Sequence, residues 1–165
     1  MTDGAATAEA LPGRGEGPHP GSPRARARRL DGWLAASSDQ RRRLPAGVTP
    51  VRSAHETVVE TALLRAAEDS GPALVEATTN QVNHRGGWTE LTPAAFGDRV
   101  RAAAARVGPP EDRVMLGGDH LGPGPWRNLP AGRAMEESEA MVATYASAGY
   151  EKIYLGTSMG CEGET

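Results

Sequence analysis

The sequence has one cysteine, Cys161, one lysine, Lys152, and no long hydrophobic run. A single cysteine excludes an internal disulfide, which is typical of a reducing compartment and predicts a cytoplasmic protein. No stretch approaches the ~18 consecutive apolar residues of a membrane-spanning helix, and the N-terminal segment has no apolar core of a secretory signal. We therefore expect no association with a membrane.

The chain also lacks a large excess of either positive or negative charge. Eighteen arginine and lysine residues oppose 21 aspartate and glutamate residues, which leaves a formal net charge of -3. So small an imbalance gives no electrostatic reason to expect binding to nucleic acid. Aromatic residues make up only 4% of the chain, so alanine and valine must form much of any core.

Glycine and proline are plentiful, and the chain divides into three parts. Residues 1–28 are rich in Gly, Pro, Ala and Arg without hydrophobic periodicity, and we predict that they form a disordered tail. Residues 29–46 predict a short helix and a linker, because a proline and a glycine end the helical pattern. Residues 47–165 contain segments of both strand and helix type, and they predict the folded domain.

The alternation of segments within residues 47–165 predicts an α/β fold. Strands are expected at 47–54, 73–79, 112–120 and 152–158, and helices at 55–69, 92–108 and 133–150. Strands that alternate with helices form right-handed βαβ units and a parallel sheet. In such sheets the ligand-facing loops follow the carboxyl ends of the strands. The candidate ligand-binding residues in these positions are His55, Asn80, Gln81, Asn83, Asp119, His120 and Ser158.

The segment "RVMLGGDHLGP", residues 113–123, places Asp119 and His120 after an aliphatic run and two glycines. The glycines allow a ligand or another backbone to approach closely. Neighbouring residues of a regular strand point to opposite faces, so both side chains line one pocket only where the strand is irregular. One interpretation is a metal ligand, His120, beside a catalytic proton carrier, Asp119. The alternative is a hydrogen-bonded pair that joins strand ends.

The other polar residues leave two interpretations each. His55 is either a second imidazole for a metal or a helix-start residue bonded to loop backbone, and Cys161 is either a zinc ligand or a buried thiol. The amides of Asn80, Gln81 and Asn83 suit sugar hydroxyls or phosphate oxygens, and they equally suit capping of the loop backbone. No HxH, HExxH or CxxC spacing is present, and no P-loop or GxGxxG motif follows a strand.

Several consecutive motifs together resemble one known family. The segments "LVEATTNQVNHRGGWTELTPAAF", "VMLGGDHLGP", "AMEESEAMVATYASAGYEKIYL" and "TSMGC" are similar to the non-catalytic, Z-type subunits of tagatose-bisphosphate aldolase. Some members of that family have carried the label tagatose-6-phosphate kinase. The resemblance covers residues 47 to 161, and its motifs match in order.

The resemblance implies a partial (β/α)8 barrel, with about the first four βα units in this chain. It also implies a subunit that supports a class II, zinc-dependent aldolase in galactitol and N-acetylgalactosamine catabolism. The catalytic partner cleaves tagatose 1,6-bisphosphate, and zinc is expected in that partner rather than here. In related aldolases an Asp-His pair supplies the proton donor and a zinc ligand, which Asp119 and His120 resemble. The alternatives are a sugar-phosphate lyase or kinase that acts by itself, and a non-functional gene remnant.

The sequence departs from the family pattern in two respects. Family members are much longer, and a whole barrel takes about 250 residues, so we expect a truncated chain or fragment with open sheet edges. Open edges pair with other chains, which predicts self-association. Where the family has Leu-Asp at the end of the fourth strand, this chain has Leu155 and Gly156. An acidic group expected near the candidate site is therefore missing.

Overall fold

A computed structural model describes residues 48–109, 111–158 and 160–163, together with residues 31, 32 and 35. The predicted tail at 1–28 and most of the predicted helix and linker at 29–46 lie outside this part of the chain. Within it, no helix is long and apolar enough to cross a membrane.

Strands and helices alternate along the described domain as the sequence predicts. The strands are β1 (Pro50–Arg52), β2 (Ala73–Thr78), β3 (Val114–Leu121) and β4 (Lys152–Leu155). The helices are α1 (Glu56–Glu68), α2 (Pro93–Val107) and α3 (Ala131–Ser147). The outer strands are shorter than predicted. At β1 the reason is chemical, because proline lacks the amide hydrogen that a longer ladder would need.

The four strands form one parallel sheet whose spatial order equals the chain order, β1-β2-β3-β4. This confirms the predicted α/β fold class. Parallel neighbours that follow one another in sequence need a crossover, and α1, α2 and α3 supply the three crossovers. The carboxyl ends of all four strands therefore meet at one edge of the sheet.

Helix α2 shows how local sequence fixes an element. Thr92 lies at the N-cap and its hydroxyl accepts a hydrogen bond from the amide of Ala95 at 3.4 Å, while Pro93 occupies the first turn. Gly108 ends the helix with a φ of 102°, a left-handed conformation that glycine adopts without a steric penalty. The N-cap, the first-turn proline and the C-cap are each of the residue type that helix ends favour at that position.

The two faces of the sheet have different partners. Alternate strand residues point to opposite faces, and Val75 and Leu116 pack with Leu63, Phe96 and Met141 of the helices in the apolar core. The strand register places the intervening residues on the other side, which we call the inner face. Its central row consists of Arg52, Glu76, Gly117 and Lys152.

Two buried tyrosines tie the loop after β2 and the start of α2 to the core. The Tyr145 hydroxyl donates to the carbonyl of Val82 at 2.8 Å, and the Tyr150 hydroxyl donates to the carbonyl of Pro93 at 3.0 Å. Burial raises the pKa of both phenols above the ordinary range, so both keep their protons at neutral pH. The loop that follows β2 is thus held in place at the edge where the candidate residues lie.

Candidate functional site

Strand β3 becomes irregular at the Asp119-His120 pair. Its register with β4 shifts between Gly118 and Leu121, and His120 has a φ of 51°. A left-handed residue inside a strand is uncommon outside glycine and turns the chain locally. Because of this turn, neighbouring side chains that a regular strand would separate contact one another. The strand therefore continues one residue beyond the predicted end at His120, with a bulge rather than a stop.

The Asp119 carboxylate is the centre of a small charged cluster. Its Oδ2 atom accepts hydrogen bonds from Nδ1 of His120 at 2.7 Å and from Nη1 of Arg52 at 3.1 Å. The side chain of Asp119 is 7% exposed, whereas those of His120 and Arg52 are 53% and 55% exposed. A buried carboxylate thus holds two solvent-facing cationic or polar groups at the carboxyl end of the sheet.

The surroundings of Asp119 favour its charged form. Burial raises the pKa of this carboxyl, but the hydrogen bonds from His120 and Arg52 and their positive charges outweigh burial and lower the pKa below its usual value. Asp119 is therefore ionised at neutral pH. In that state it accepts hydrogen bonds or a proton, and it has no proton of its own to donate.

Acid is expected to remove the stabilisation that Asp119 provides. A carboxyl whose folded pKa is depressed contributes stability above its unfolded pKa of about 4, and the contribution is lost as the pH falls through the folded pKa. The Asp119→Asn variant cannot titrate there, so its free energy of unfolding should decline less between pH 5 and about pH 2. Urea unfolding of both proteins across that range checks this, and parallel curves would contradict it.

The backbone strain at His120 yields a second expectation. A residue with a side chain loses about 1 kcal/mol in the left-handed region relative to glycine. The variants His120→Gly and His120→Ala both lack the imidazole, so their difference isolates the backbone. His120→Gly should be the more stable of the two by about 1 kcal/mol, as measured by chemical unfolding. An alanine variant of equal or greater stability would show that the bulge relaxes without its left-handed residue.

Thr79 and two glycines hold the bulge in place. The buried Thr79 hydroxyl donates to the carbonyl of His120 at 3.0 Å and accepts from the amide of Gly122 at 3.1 Å. A Cβ atom on Gly122 would lie 2.1 Å from the carbonyl oxygen of Gly156, and one on Gly156 would lie 3.1 Å from the backbone of His120. Gly156 is therefore packed against the bulge, and it contributes no acid at the position where the family resemblance led us to expect one.

The remaining predicted ligand-binding residues divide into two groups. Asn83 and Gln81 support the loop backbone: the Asn83 Oδ1 atom accepts from the amides of Arg85 and Gly87, and the Gln81 Oε1 atom accepts from the amide of Thr78. All three bonds belong to the capping interpretation. The side chains left exposed at this edge are those of His55, Asn80 and Ser158.

His55 and Cys161 do not join the Asp119 cluster. His55 lies at the N-cap of α1, where its side chain makes no capping bond, and its amide donates to Ser53 Oγ at 3.1 Å. Cys161 is buried and lines an apolar groove with Leu121 and Leu155 on the helix side of β4.

Sequence reasoning missed four residues that contact the site or its support: Arg52, Glu76, Lys152 and Tyr154. The Tyr154 ring packs edge-on against the imidazole of His120 with 4.8 Å between centroids. The signal that was available is the charge inside strands, because "PVR", "LVEA" and "KIYL" each place one charged residue in a strand that is otherwise apolar. Charged residues are seldom buried without a partner.

The described residues around Asp119 supply too few donor atoms to hold a metal ion by themselves. No group of three or more His, Cys, Asp or Glu side chains there is arranged to hold one. In the Asp119 cluster one imidazole nitrogen of His120 already bonds the carboxylate, which leaves only Nε2 for another partner. We therefore derive no chemical step through zinc, and His120 as a metal ligand stays a prediction.

The chain is an α/β protein with a parallel sheet, and its acid–imidazole pair lies at the carboxyl ends of the strands, the edge at which ligands bind in proteins of this architecture. Comparison with known families narrows the class. The model of the D-tagatose-1,6-bisphosphate aldolase subunit GatZ/KbaZ-like family matches residues 34–165, and the chain belongs to this family.

Individual relatives agree with the family match. The chain is 50% identical over 120 residues to the D-tagatose 6-phosphate 4-epimerase of Agrobacterium fabrum, covering 73% of this chain and 28% of that protein. It is 50% identical over 115 residues to the D-tagatose-1,6-bisphosphate aldolase subunit GatZ of Salmonella choleraesuis, covering 70% of this chain and 27% of that one.

A solved structure with a similar sequence has a similar fold. The crystal structure of a probable tagatose 6 phosphate kinase from Sinorhizobium meliloti 1021 superposes with a TM-score of 0.69 at 52% identity. The match covers 72% of this chain and 30% of that chain. In these three comparisons the chain spans less than a third of the relative's length.

Proposed function

We propose that this chain acts in tagatose-phosphate metabolism as a non-catalytic subunit that supports a class II tagatose-bisphosphate aldolase. The observation that carries the proposal is the 50% identity over 115 residues to a GatZ subunit. The family match spans residues 34–165 and so includes Asp119 and His120, whose side chains meet at the sheet edge where α/β proteins bind ligands. A role in galactitol and N-acetylgalactosamine catabolism, in the cytoplasm, follows from the same proposal.

The architecture we propose for residues 47–165 is the first half of a (β/α)8 barrel. A barrel requires parallel strands in chain order with helices on the outside, and β1 to β4 follow one another in that order. The charged inner face supports the proposal, because Arg52, Glu76 and Lys152 lie on the side of the sheet that faces away from the helices. In a barrel such residues point towards the axis.

The ligand proposed for the edge is a sugar phosphate. The ionised Asp119 accepts a hydrogen bond from a sugar hydroxyl, and the exposed imidazole of His120 contacts a second oxygen of the same molecule. Asn80 and Ser158, exposed beside the carboxyl ends of β2 and β4, supply further polar contacts. This assignment gives Asp119 and His120 a binding role that needs no metal among the described residues.

A second candidate function is epimerisation of tagatose 6-phosphate at C4. The Agrobacterium relative carries that activity in its name and is as similar to this chain as the GatZ subunit is. An acid–imidazole pair is the kind of group that moves protons in such a reaction. The kinase named for the Sinorhizobium structure has less support, because the sequence lacks a P-loop motif for phosphate.

Two assays separate the candidates. The full chain is added to a catalytic class II aldolase subunit, and cleavage of tagatose 1,6-bisphosphate is followed with and without it. The chain alone is incubated with tagatose 6-phosphate, and the C4 epimer, fructose 6-phosphate, is measured. A subunit role predicts faster or longer-lived cleavage in the mixture and no epimer. Epimer formed by the chain alone would replace the first proposal with the second.

We also propose that the chain self-associates through β4. Within the described part of the chain β4 pairs only with β3, and it exposes Ile153, Tyr154 and Leu155 by 36%, 49% and 54%. Beside it lies an apolar groove of about 580 Å³. An exposed apolar edge strand pairs with another chain, and the occupant we propose is a second copy.

Sedimentation analysis should therefore show dimers or larger species whose fraction rises with protein concentration. The Leu155→Lys variant places a charge on the edge and should shift the population towards monomer. The Leu64→Lys variant is a matched control, since Leu64 is 46% exposed on α1 away from β4. A monomer at all concentrations would contradict the proposal, and so would equal effects of the two variants.

A further inference from the structure

Lys152 is the only lysine of the chain, and the structure places it on the inner face. It is the first residue of β4, and the register aligns it with Gly117 of β3, which in turn aligns with Glu76 of β2. The Nζ atom of Lys152 forms an ion pair with Oε1 of Glu76 across the position of Gly117. Neither Lys152 nor Glu76 has a part in the function proposed above.

Gly117 makes this ion pair geometrically feasible. A Cβ atom at Gly117 would lie 2.9 Å from both Cγ and Oε1 of Glu76. Any larger residue would displace the carboxylate that the ammonium contacts. The glycine before the Asp119-His120 pair thus provides room for a buried side chain of the neighbouring strand.

Burial of the Glu76 carboxylate at this position is energetically unfavourable. Its side chain is 0% exposed, and its Oε2 atom has no hydrogen-bond partner among the described residues. Replacement of a buried ion pair by apolar residues is often neutral or stabilising, so stability alone gives little reason for the pair. What the pair does provide is a fixed position for one ammonium group.

The Lys152 ammonium remains open to a ligand. Its side chain is 32% exposed, and an ammonium has three donors, of which the structure shows one in use, to Glu76. The Nζ atom lies 5.7 Å from the centroid of the Tyr154 ring, and the same ring packs against His120. Lys152 is therefore connected through one aromatic ring to the Asp119 cluster.

The charges of the inner face indicate which ligand atom the ammonium meets. Arg52 pairs with Asp119 and Lys152 pairs with Glu76, so the four formal charges balance. These two ion pairs together carry no net charge and attract a dianionic phosphate weakly, whereas a polarised neutral oxygen requires only a free donor. Lys152 also lies on the row below Asp119, farther from the carboxyl-end loops. A carbonyl oxygen fits this position better than a phosphate.

We propose that Lys152 is a ligand-binding residue whose ammonium donates a hydrogen bond to the carbonyl oxygen of an open-chain ketose phosphate. Glu76 is the positioning residue that holds the ammonium on the inner face. The proposal rests on the sugar-phosphate site proposed above and adds a specificity to it: ligands with a carbonyl group bind more tightly than their alcohols. No covalent step is involved.

The test compares two small phosphates that cannot form rings. Dihydroxyacetone phosphate carries the carbonyl, and glycerol 3-phosphate is its alcohol with the same phosphate group. Calorimetric titration of the full chain should give about tenfold tighter binding of the carbonyl compound, the effect of one good hydrogen bond. Because Lys152→Met alone leaves Glu76 buried without a partner, the variant to use is Glu76→Met with Lys152→Met.

The double variant should bind both compounds with the weaker affinity, so the tenfold preference disappears while binding of glycerol 3-phosphate is unchanged. The single variant Glu76→Gln keeps the ammonium and an amide oxygen that accepts its hydrogen bond, so it should keep the preference. A preference that survives in the double variant, or its absence in the parent chain, overturns the role of Lys152 alone. Failure of the parent chain to bind either compound overturns this role and the sugar-phosphate site together, whereas the aldolase assay tests the subunit role separately.

Discussion

Replacement of Gly122 by alanine is expected to destabilise the fold by about 3 kcal/mol or more, the upper part of the range for overpacking in a dense interior. The added methyl group would lie 2.1 Å from the carbonyl oxygen of Gly156. The oxygen belongs to the backbone and a Cβ atom is attached directly to it, so neither can rotate away. The amide of Gly156 is itself bonded to the carbonyl of Leu121 at 2.9 Å. Relief of the clash therefore requires β3 and β4 to separate at the site.

A nearby glycine provides the control. Gly124 has no heavy atom within 4 Å of the position that a Cβ would take. Gly124→Ala should therefore stay within about 0.5 kcal/mol of the parent, as surface changes commonly do. Guanidinium unfolding of the three proteins measures the difference. Equal midpoints for Gly122→Ala and Gly124→Ala would mean that the strands do not approach as closely as the structure shows.

Replacement of Thr79 by valine is expected to cost about 2 kcal/mol or more. Valine has nearly the same shape but lacks the hydroxyl, so the carbonyl of His120 and the amide of Gly122 lose their partner at once. The side chain of Thr79 is buried, which leaves water little access to replace it. Each buried polar group without a partner costs about 1 to 3 kcal/mol.

The control for this variant is Thr79→Ser, which keeps the hydroxyl and removes only a methyl group. It should lose clearly less stability than Thr79→Val in the same unfolding measurement. A valine variant as stable as the serine variant would show that the hydroxyl contributes little to the bulge. Because the hydroxyl bonds the backbone on both sides of Leu121, the valine variant should also weaken any ligand contact made by His120.

The order of strands and helices was predictable because each element carries its own signal. Thr92, Pro93 and Gly108 mark the two ends of α2 through short-range chemistry, and the structure confirms them. The same holds for Pro50, the first residue of β1, because a proline without an amide hydrogen suits a strand end. Local signals of this kind do not depend on which strand lies next to which.

The geometry of the Asp119-His120 pair was predictable only in part. The sequence shows that both side chains share a pocket only if the strand is irregular, and the structure places the irregularity in β3 itself. The residue that holds this irregularity in place, Thr79, lies in the preceding βα loop, 41 residues before His120 in the sequence. A contact over that distance depends on strand register, which no local pattern specifies.

The charged residues of the inner face were missed for the same reason. Arg52, Glu76 and Lys152 come from three different strands, and each is a single charged residue whose own segment does not indicate its partner. Only the parallel alignment of β1, β2 and β4 around Gly117 shows that they form one row. Asn83 and Gln81 left two interpretations open, and both act on loop backbone in the structure.

The most direct test of the proposed site is a calorimetric titration of tagatose 6-phosphate into the full chain and into Asp119→Asn. The account predicts saturable binding to the parent chain and a loss of about tenfold or more in affinity for the variant. Asp98→Asn, on the exposed surface of α2, serves as the control and should bind like the parent. Absence of binding to the parent chain, or equal affinities for parent and Asp119→Asn, would contradict a sugar-phosphate site at Asp119 and His120.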